Sequence, residues 1–86
     1  MAASIVHVID DDDALRDSLS FLLGAARLEV KTYESAEAFL SALPGVNSGC
    51  IITDVRMPNM SGVDLLRKLN ELRVALPVIA RTLPAI

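Results

Sequence analysis

Four consecutive aspartates, Asp10 to Asp13, follow a short apolar stretch near the start of the chain, and a helix-like pattern begins directly after them. Like charges about 4 Å apart repel by about 4 kcal/mol at the effective dielectric of a protein surface. A bound divalent cation would remove that repulsion, because hard cations prefer carboxylate oxygens. Aspartate is also favoured at a helix N-cap and in the first helical turn. The run alone leaves a metal site and an acidic cap both open, and we assign Asp12 and Asp13 to the cap.

Two more polar residues follow apolar segments later in the chain. Asp54 comes directly after residues 50–53, and Thr82 follows a segment that begins at Pro77. Taken singly, an aspartate in such a place is more often a turn residue or a cap than a reactive group. If the segments are parallel strands, however, Asp11 and Asp54 meet beyond the same sheet edge, where ligands bind. Two carboxylates with an open face suit a magnesium ion that keeps some water and engages phosphate.

Length and composition narrow the class of protein. A chain of 86 residues makes one small domain, and 52% hydrophobic residues are too many for intrinsic disorder. No apolar stretch approaches the length of a membrane span. A net charge of −3 is unlike the excess of basic residues by which proteins bind nucleic acid, so we expect no direct binding to nucleic acid. The single cysteine, Cys50, cannot form an internal disulfide, and we expect a reducing, cytoplasmic location.

The hydrophobic period switches repeatedly between that of a strand and that of a helix. We predict strands at residues 4–9, 28–32 and 50–53, and a fourth from residue 77. A helix over residues 13–27 should turn one apolar face to the core, and that face comprises Leu15, Leu19, Leu22, Leu23 and Ala26. Ser35 should cap a short second helix, and Ser61 with Asp64 should open a third as a capping box. This alternation predicts an α/β fold with a parallel sheet covered on both faces.

Three segments carry a family resemblance. They are Val6 to Asp11, the run Thr53 to Gly62 with the pattern Asp-x-x-Met-Pro-x-Met-x-Gly, and Pro77 to Thr82. Together they resemble the receiver domain of two-component response regulators, in particular transcriptional regulators of the nitrogen-fixation type. The resemblance implies a flavodoxin-like sheet with strand order 2-1-3-4-5. It covers four of the five expected βα units, so we expect a single, incomplete receiver domain over residues 1–86, lacking the fifth unit.

The resemblance also implies a role for individual residues. Asp54 matches the phosphoacceptor, which takes a phosphoryl group from a partner histidine kinase. Asp10 and Asp11 match the acidic pair, with Asp11 binding Mg2+ directly and Asp10 acting through water. The backbone carbonyl of Arg56 matches the third protein ligand of the metal, and Thr82 matches the switch hydroxyl that contacts the phosphoryl group. Such a chain is a phosphoprotein of a phosphorelay rather than an enzyme, with self-catalysed phosphotransfer at most.

Departures from the family pattern leave alternatives open. No lysine occurs beyond Lys68, so the lysine that the family carries at the end of strand five has no counterpart. A fourth strand at the sheet edge invites pairing with another chain, which predicts a homo-oligomer through that edge. Arg81 is then either a charge that discourages uncontrolled pairing or a chance substitution. A degenerate, non-phosphorylated receiver that acts as a protein-binding or dimerisation module is the alternative function, and a simple metal-binding domain is a third.

Several other residues have plain structural interpretations at this stage. We expect His7 to be a partly exposed or hydrogen-bonded histidine of the first strand. Arg16 is taken as a solvated charge on the first helix. Gly62 should allow a tight turn into the third helix.

Overall fold

Strands and helices alternate along the chain in a computed structural model that describes residues 5–43, 46 and 48–81. The elements, in chain order, are β1 (Ile5–Ile9), α1 (Asp13–Ala25), β2 (Glu29–Tyr33), α2 (Ala36–Ala42), β3 (Cys50–Asp54), α3 (Gly62–Glu71) and β4 (Val78–Arg81). All strand pairs are parallel, and the sheet order is β2-β1-β3-β4. The predicted α/β fold of flavodoxin-like topology is confirmed.

Local capping chemistry sets where the helices begin. The Asp12 carboxylate accepts hydrogen bonds from Ala14 N and Leu15 N at 2.9 and 3.3 Å, so it caps α1 as predicted. Ser35 caps α2 by accepting from Ala38 N at 3.0 Å. Ser61 and Asp64 form the predicted reciprocal capping box at the start of α3. Side-chain oxygens therefore satisfy backbone donors that have no partner within their helix.

Helices α1 and α3 end in the same way, with an arginine in the left-handed backbone region. Arg27 has φ 65° and Arg73 has φ 58°. After α1, Arg27 N donates to Gly24 O and Leu28 N donates to Leu23 O, which is the hydrogen-bond pattern of a Schellman motif. The first helix therefore ends at Ala25, two residues before the predicted limit.

The main core lies between the sheet and helices α2 and α3. Its fully buried members include Ile9, Phe39, Ile51 and Leu65. His7 lies on the same face of β1 as Ile9, and its ring packs edge-on against Phe39. Both ring nitrogens are hydrogen-bonded: Nδ1 to the Tyr33 hydroxyl at 3.1 Å and Nε2 to the carbonyl oxygen of Ser48 at 3.0 Å. His7 is thus a buried, hydrogen-bonded core residue.

The prediction that the apolar face of α1 is buried in the core was wrong in part. No residue of α1 is fully buried, and Leu22 is 62% exposed. Ala26 is also exposed and lies beyond the helix end. The reason is one-sided packing: α1 contacts mainly β1 and β2, so only part of its apolar stripe meets the sheet. Among the described residues, no helix combines the length and the apolar character required to cross a membrane.

Candidate metal centre

Three carboxylates meet at the carboxyl-terminal edge of the sheet. Strands β1 and β3 are parallel neighbours, so Asp10 and Asp11, which follow β1, lie beside Asp54 at the end of β3. One carboxylate oxygen from each of the three residues lies within 4.8 Å of the others. The predicted proximity of Asp11 and Asp54 is confirmed. Asp10 and Asp54 are buried, whereas Asp11 is exposed, so the cluster opens to solvent on the Asp11 side.

Asp10 is the most buried member of this cluster, with 1% of its surface exposed. Its Oδ1 accepts a hydrogen bond from Asp12 N at 2.9 Å, but its Oδ2 is buried without a hydrogen-bond partner among the described residues. Burial raises the pKa of the Asp10 carboxyl, the hydrogen bond from Asp12 lowers it, and the nearby charge of Asp54 raises it again. A buried carboxylate oxygen without a donor is under-satisfied, and a cation would complete its environment.

Asp54 is held by the loop that follows β3. Its Oδ1 accepts from Arg56 N at 3.3 Å, and the backbone carbonyl of Asp54 accepts from the Thr53 hydroxyl at 3.1 Å. The end of this loop lies beside the end of β3, where Gly62 N donates a hydrogen bond to Val55 O at 2.9 Å. Gly62 does not have a positive φ, so left-handed backbone geometry is not the reason that glycine stands at this turn. It is required for space, since a Cβ there would overlap the carbonyl oxygen of Asp54.

Two arginines contact the acidic cluster, and the interpretation of one of them, Arg16, was wrong. Arg16 is not a solvated charge: its side chain is 16% exposed, and Nη1 donates to the carbonyl oxygen of Asp10 at 2.6 Å. It also forms an ion pair with Asp13 on the same helix. Arg81 lies on the edge strand β4 and places Nη1 at 3.5 Å from Asp10 Oδ2, so its side chain belongs to the acidic cluster. Nothing in the local sequence of either residue indicates its contact with Asp10, because each contact joins different parts of the fold.

The donor set fits a hard divalent cation. Three carboxylate oxygens from two strand ends, one open side and one unpaired buried oxygen match what Mg2+ requires of a site that also keeps water. Arg56 lies in the loop beside Asp54, and the role of its carbonyl stays a prediction. Thr82 lies outside the described residues.

Comparison with known proteins decides the family. A sequence profile described as "Response regulator receiver domain" matches residues 6–85. The chain belongs to the response regulator receiver family. This receiver is 53% identical over 77 residues to the transcriptional regulatory protein FixJ of Azorhizobium caulinodans, and 46% identical over 77 residues to FixJ of Bradyrhizobium diazoefficiens. These matches cover 90% of the chain but only 36% and 38% of the relatives' length.

Solved structures agree with the receiver assignment. The crystal structure of FixJ-N matches with a TM-score of 0.89 at 46% identity, covering 95% of this chain and 66% of that one. A response regulator receiver protein from Pseudomonas putida matches with a TM-score of 0.90 at 30% identity, covering 100% of this chain and 73% of that one. The chain is therefore the receiver domain of a two-component response regulator, a signalling domain.

Proposed function

We propose that residues 1–86 form a cytoplasmic receiver domain that accepts a phosphoryl group on Asp54 from a histidine kinase, with Mg2+ held at the acidic cluster. The observation that carries the proposal is the convergence of Asp10, Asp11 and Asp54, with ligand oxygens within 4.8 Å of one another. Membership of the receiver family supports the assignment of these roles.

Asp54 is the group that reacts. A carboxylate oxygen of Asp54 forms a bond to phosphorus while the bond between phosphorus and the kinase histidine nitrogen breaks. The imidazole leaves with the electron pair of that bond and takes up a proton. Since Asp54 is 8% exposed at the end of its strand, the donor must approach from the open side of the cluster. The hydrogen bond from Arg56 N fixes Oδ1, which orients the carboxylate for in-line attack.

The surrounding residues supply positioning and charge. Asp11, Asp10 and the carbonyl of Arg56 would hold Mg2+ together with Asp54. When bound, the ion neutralises charge on the transferring phosphoryl oxygens, which is the main requirement of this reaction. Asp10 lies deepest and its backbone is fixed by Tyr33 O and the Arg16 guanidinium. We assign the switch hydroxyl to Thr82, directly after β4.

Intact-mass measurement tests the phosphoacceptor. The chain is incubated with phosphoramidate, whose phosphorus–nitrogen bond resembles that of phosphohistidine, with Mg2+ or with EDTA. We expect a gain of one phosphoryl group that requires Mg2+ and is absent in Asp54→Asn. Asp17→Asn is the matched control, because Asp17 is an exposed aspartate of α1 outside the cluster. An adduct of equal yield in Asp54→Asn, or none in the parent chain, would overturn the proposal.

A second candidate function is a dimerisation module that works without phosphorylation. The observation that favours it is the exposure of β4, which forms one edge of the described sheet and carries Ile79 at 55% exposed. On helix α3, Val63 and Leu66 are exposed as well. Uncovered apolar residues beside a strand edge favour pairing with another copy of the chain.

Sedimentation velocity tests this candidate. If the β4 edge pairs two copies, Ile79→Lys shifts the chain to monomer, whereas Phe21→Lys leaves the association unchanged. Phe21 is the matched control, because it is 76% exposed on α1, which packs mainly on β1 and β2. A parent chain that sediments as a monomer at all concentrations would exclude the second candidate and leave the first untouched.

A further inference from the structure

Arg81 and Asp10 form an ion pair that spans the candidate site from β4 to the end of β1. Arg81 is the last residue of β4 and the register partner of Asp54 on β3, while Asp10 follows β1 on the far side of β3. Neighbouring strands lie about 4.8 Å apart, so the Arg81 side chain must extend over two strand spacings to contact Asp10. The distance from Arg81 Nη1 to Asp10 Oδ2 is 3.5 Å. The guanidinium therefore crosses the face of the sheet that carries Asp54.

The oxygen that Arg81 approaches is the unsatisfied one. Asp10 Oδ1 already accepts a hydrogen bond from Asp12 N, whereas Oδ2 is buried with no hydrogen-bond partner among the described residues. At 3.5 Å the contact is an ion pair and not a well-formed hydrogen bond. Arg81 thus places a positive charge near the buried oxygen but does not donate a close hydrogen bond to it. A small cation of higher charge would satisfy that oxygen better.

We infer that Arg81 is a tethered cation that competes with the divalent metal at the acidic cluster and sets the affinity of the site for it. This inference rests on the proposed magnesium site. The three carboxylates and the guanidinium together carry a net charge of −2, which a divalent ion would cancel. Without the guanidinium, the three carboxylates would attract the ion more strongly. A divalent ion held by these oxygens would repel the guanidinium, so Arg81 would have to withdraw from Asp10 to admit it.

The competition has a predictable size. A doubly charged ion about 6 Å from a guanidinium loses about tenfold in affinity even when the two are screened as in bulk water, and the loss is larger at the lower dielectric of a protein surface. The side chain of Arg81 is 26% exposed, so it has room to move toward solvent as the ion enters. The interaction also explains why a charged residue is tolerated at this position. The buried carboxylate of Asp10, directly after β1, compensates the charge of Arg81, so neither an edge charge nor a chance substitution is needed to account for it.

Titration with Mn2+, followed by the loss of its free electron-paramagnetic-resonance signal, tests the inference without any measurement of phosphorylation. Arg81→Gln and Arg81→Met both remove the charge. The first keeps a polar side chain, and the second has an apolar one. We expect both to bind Mn2+ at least about tenfold more tightly than the parent chain. Arg81→Lys keeps the charge and should bind like the parent. Arg67→Gln removes a charge from an exposed arginine of α3, which controls for net charge, and should change the affinity less than twofold.

Each outcome separates the two proposals. If the parent chain binds Mn2+ and both uncharged variants bind it equally or more weakly, the competition is refuted while the metal site stands. If the parent chain does not bind Mn2+, or Asp11→Asn binds it as tightly as the parent, the metal site and the competition fail together. Circular dichroism before titration confirms that each variant is folded, and two different uncharged variants keep the test decisive if one of them is not.

Discussion

Gly62 packs directly on the backbone carbonyl of Asp54, so closely that a Cβ at position 62 would overlap the carbonyl oxygen. The hydrogen bond from Gly62 N to Val55 O holds this contact in place. Helix α3 therefore begins against the end of β3, and the loop between them carries the backbone of Arg56 past the Asp54 carboxylate. The position of the candidate site thus depends on a residue that has no functional group.

Gly62→Ala should lower stability and weaken metal binding together. The new methyl group meets backbone atoms, which yield less easily than a flexible side chain, and overpacking of this kind costs about 1–3 kcal/mol. Urea unfolding measures the loss, and Mn2+ titration measures the effect on the cluster. Gly24→Ala is the matched control: a Cβ at Gly24 has no atom within 4 Å, and alanine favours the helix by about 0.5–1 kcal/mol. Equal effects of the two changes would contradict the packing argument.

The burial of Asp10 predicts a specific pH dependence of stability. Burial raises the pKa of this carboxyl above its ordinary value of 3.8, so the folded chain holds the proton more tightly than the unfolded chain. Stability then falls as the pH rises from about 4 through the folded pKa, because ionised Asp10 disfavours the folded state. Asp10→Asn cannot ionise and lacks this contribution.

Urea unfolding at a series of pH values, with EDTA present, measures this contribution. The free energy of unfolding of the parent chain should decrease relative to that of Asp10→Asn as the pH is raised from about 4 to 7. Curves for the two proteins that run parallel over this range would show that Asp10 has the same pKa in the folded and unfolded states.

The left-handed arginine after α3 is a site where glycine should stabilise the fold. Arg73 has φ 58°, a conformation that costs a side chain about 1 kcal/mol and costs glycine little. Arg73→Gly should therefore raise the free energy of unfolding by up to about 1 kcal/mol. Arg67→Gly makes the same chemical change inside α3 and should lower it by about 1 kcal/mol. Thermal unfolding of both variants measures the difference in sign, and two changes of the same sign would count against the Schellman ending.

The two phenylalanines should differ sharply in their contribution to stability. Phe39 is fully buried and packs edge-on against the rings of His7 and Tyr33, whereas Phe21 is 76% exposed on α1. Phe39→Leu removes both volume and aromatic contacts and should cost about 1–2 kcal/mol. Phe21→Leu should change stability by less than about 0.5 kcal/mol. Chemical denaturation of both variants checks this, and a large loss at Phe21 would mean that α1 is covered in solution.

Local pattern was sufficient for most of the fold. The alternation of strands and helices along the chain followed from the hydrophobic periods, and the helix starts followed from the caps at Asp12 and Ser35 and the capping box at Ser61. The order of the strands in the sheet was implied by the family resemblance. The meeting of Asp11 with Asp54 also followed, because parallel strands bring their carboxyl ends to one edge. Periodicity failed for the apolar face of α1, since it cannot show how much of that face the sheet covers.

By itself the sequence determined which residues form strands and helices and which carboxylates gather at the sheet edge, because those features depend on short-range periodicity and on the direction of parallel strands. Only the tertiary structure decided that Arg81 reaches Asp10, that Arg16 holds the Asp10 carbonyl, and that Gly62 leaves room for Asp54. These contacts join atoms from different elements. Their geometry is set by side-chain length and strand spacing across the folded sheet, which no local pattern encodes.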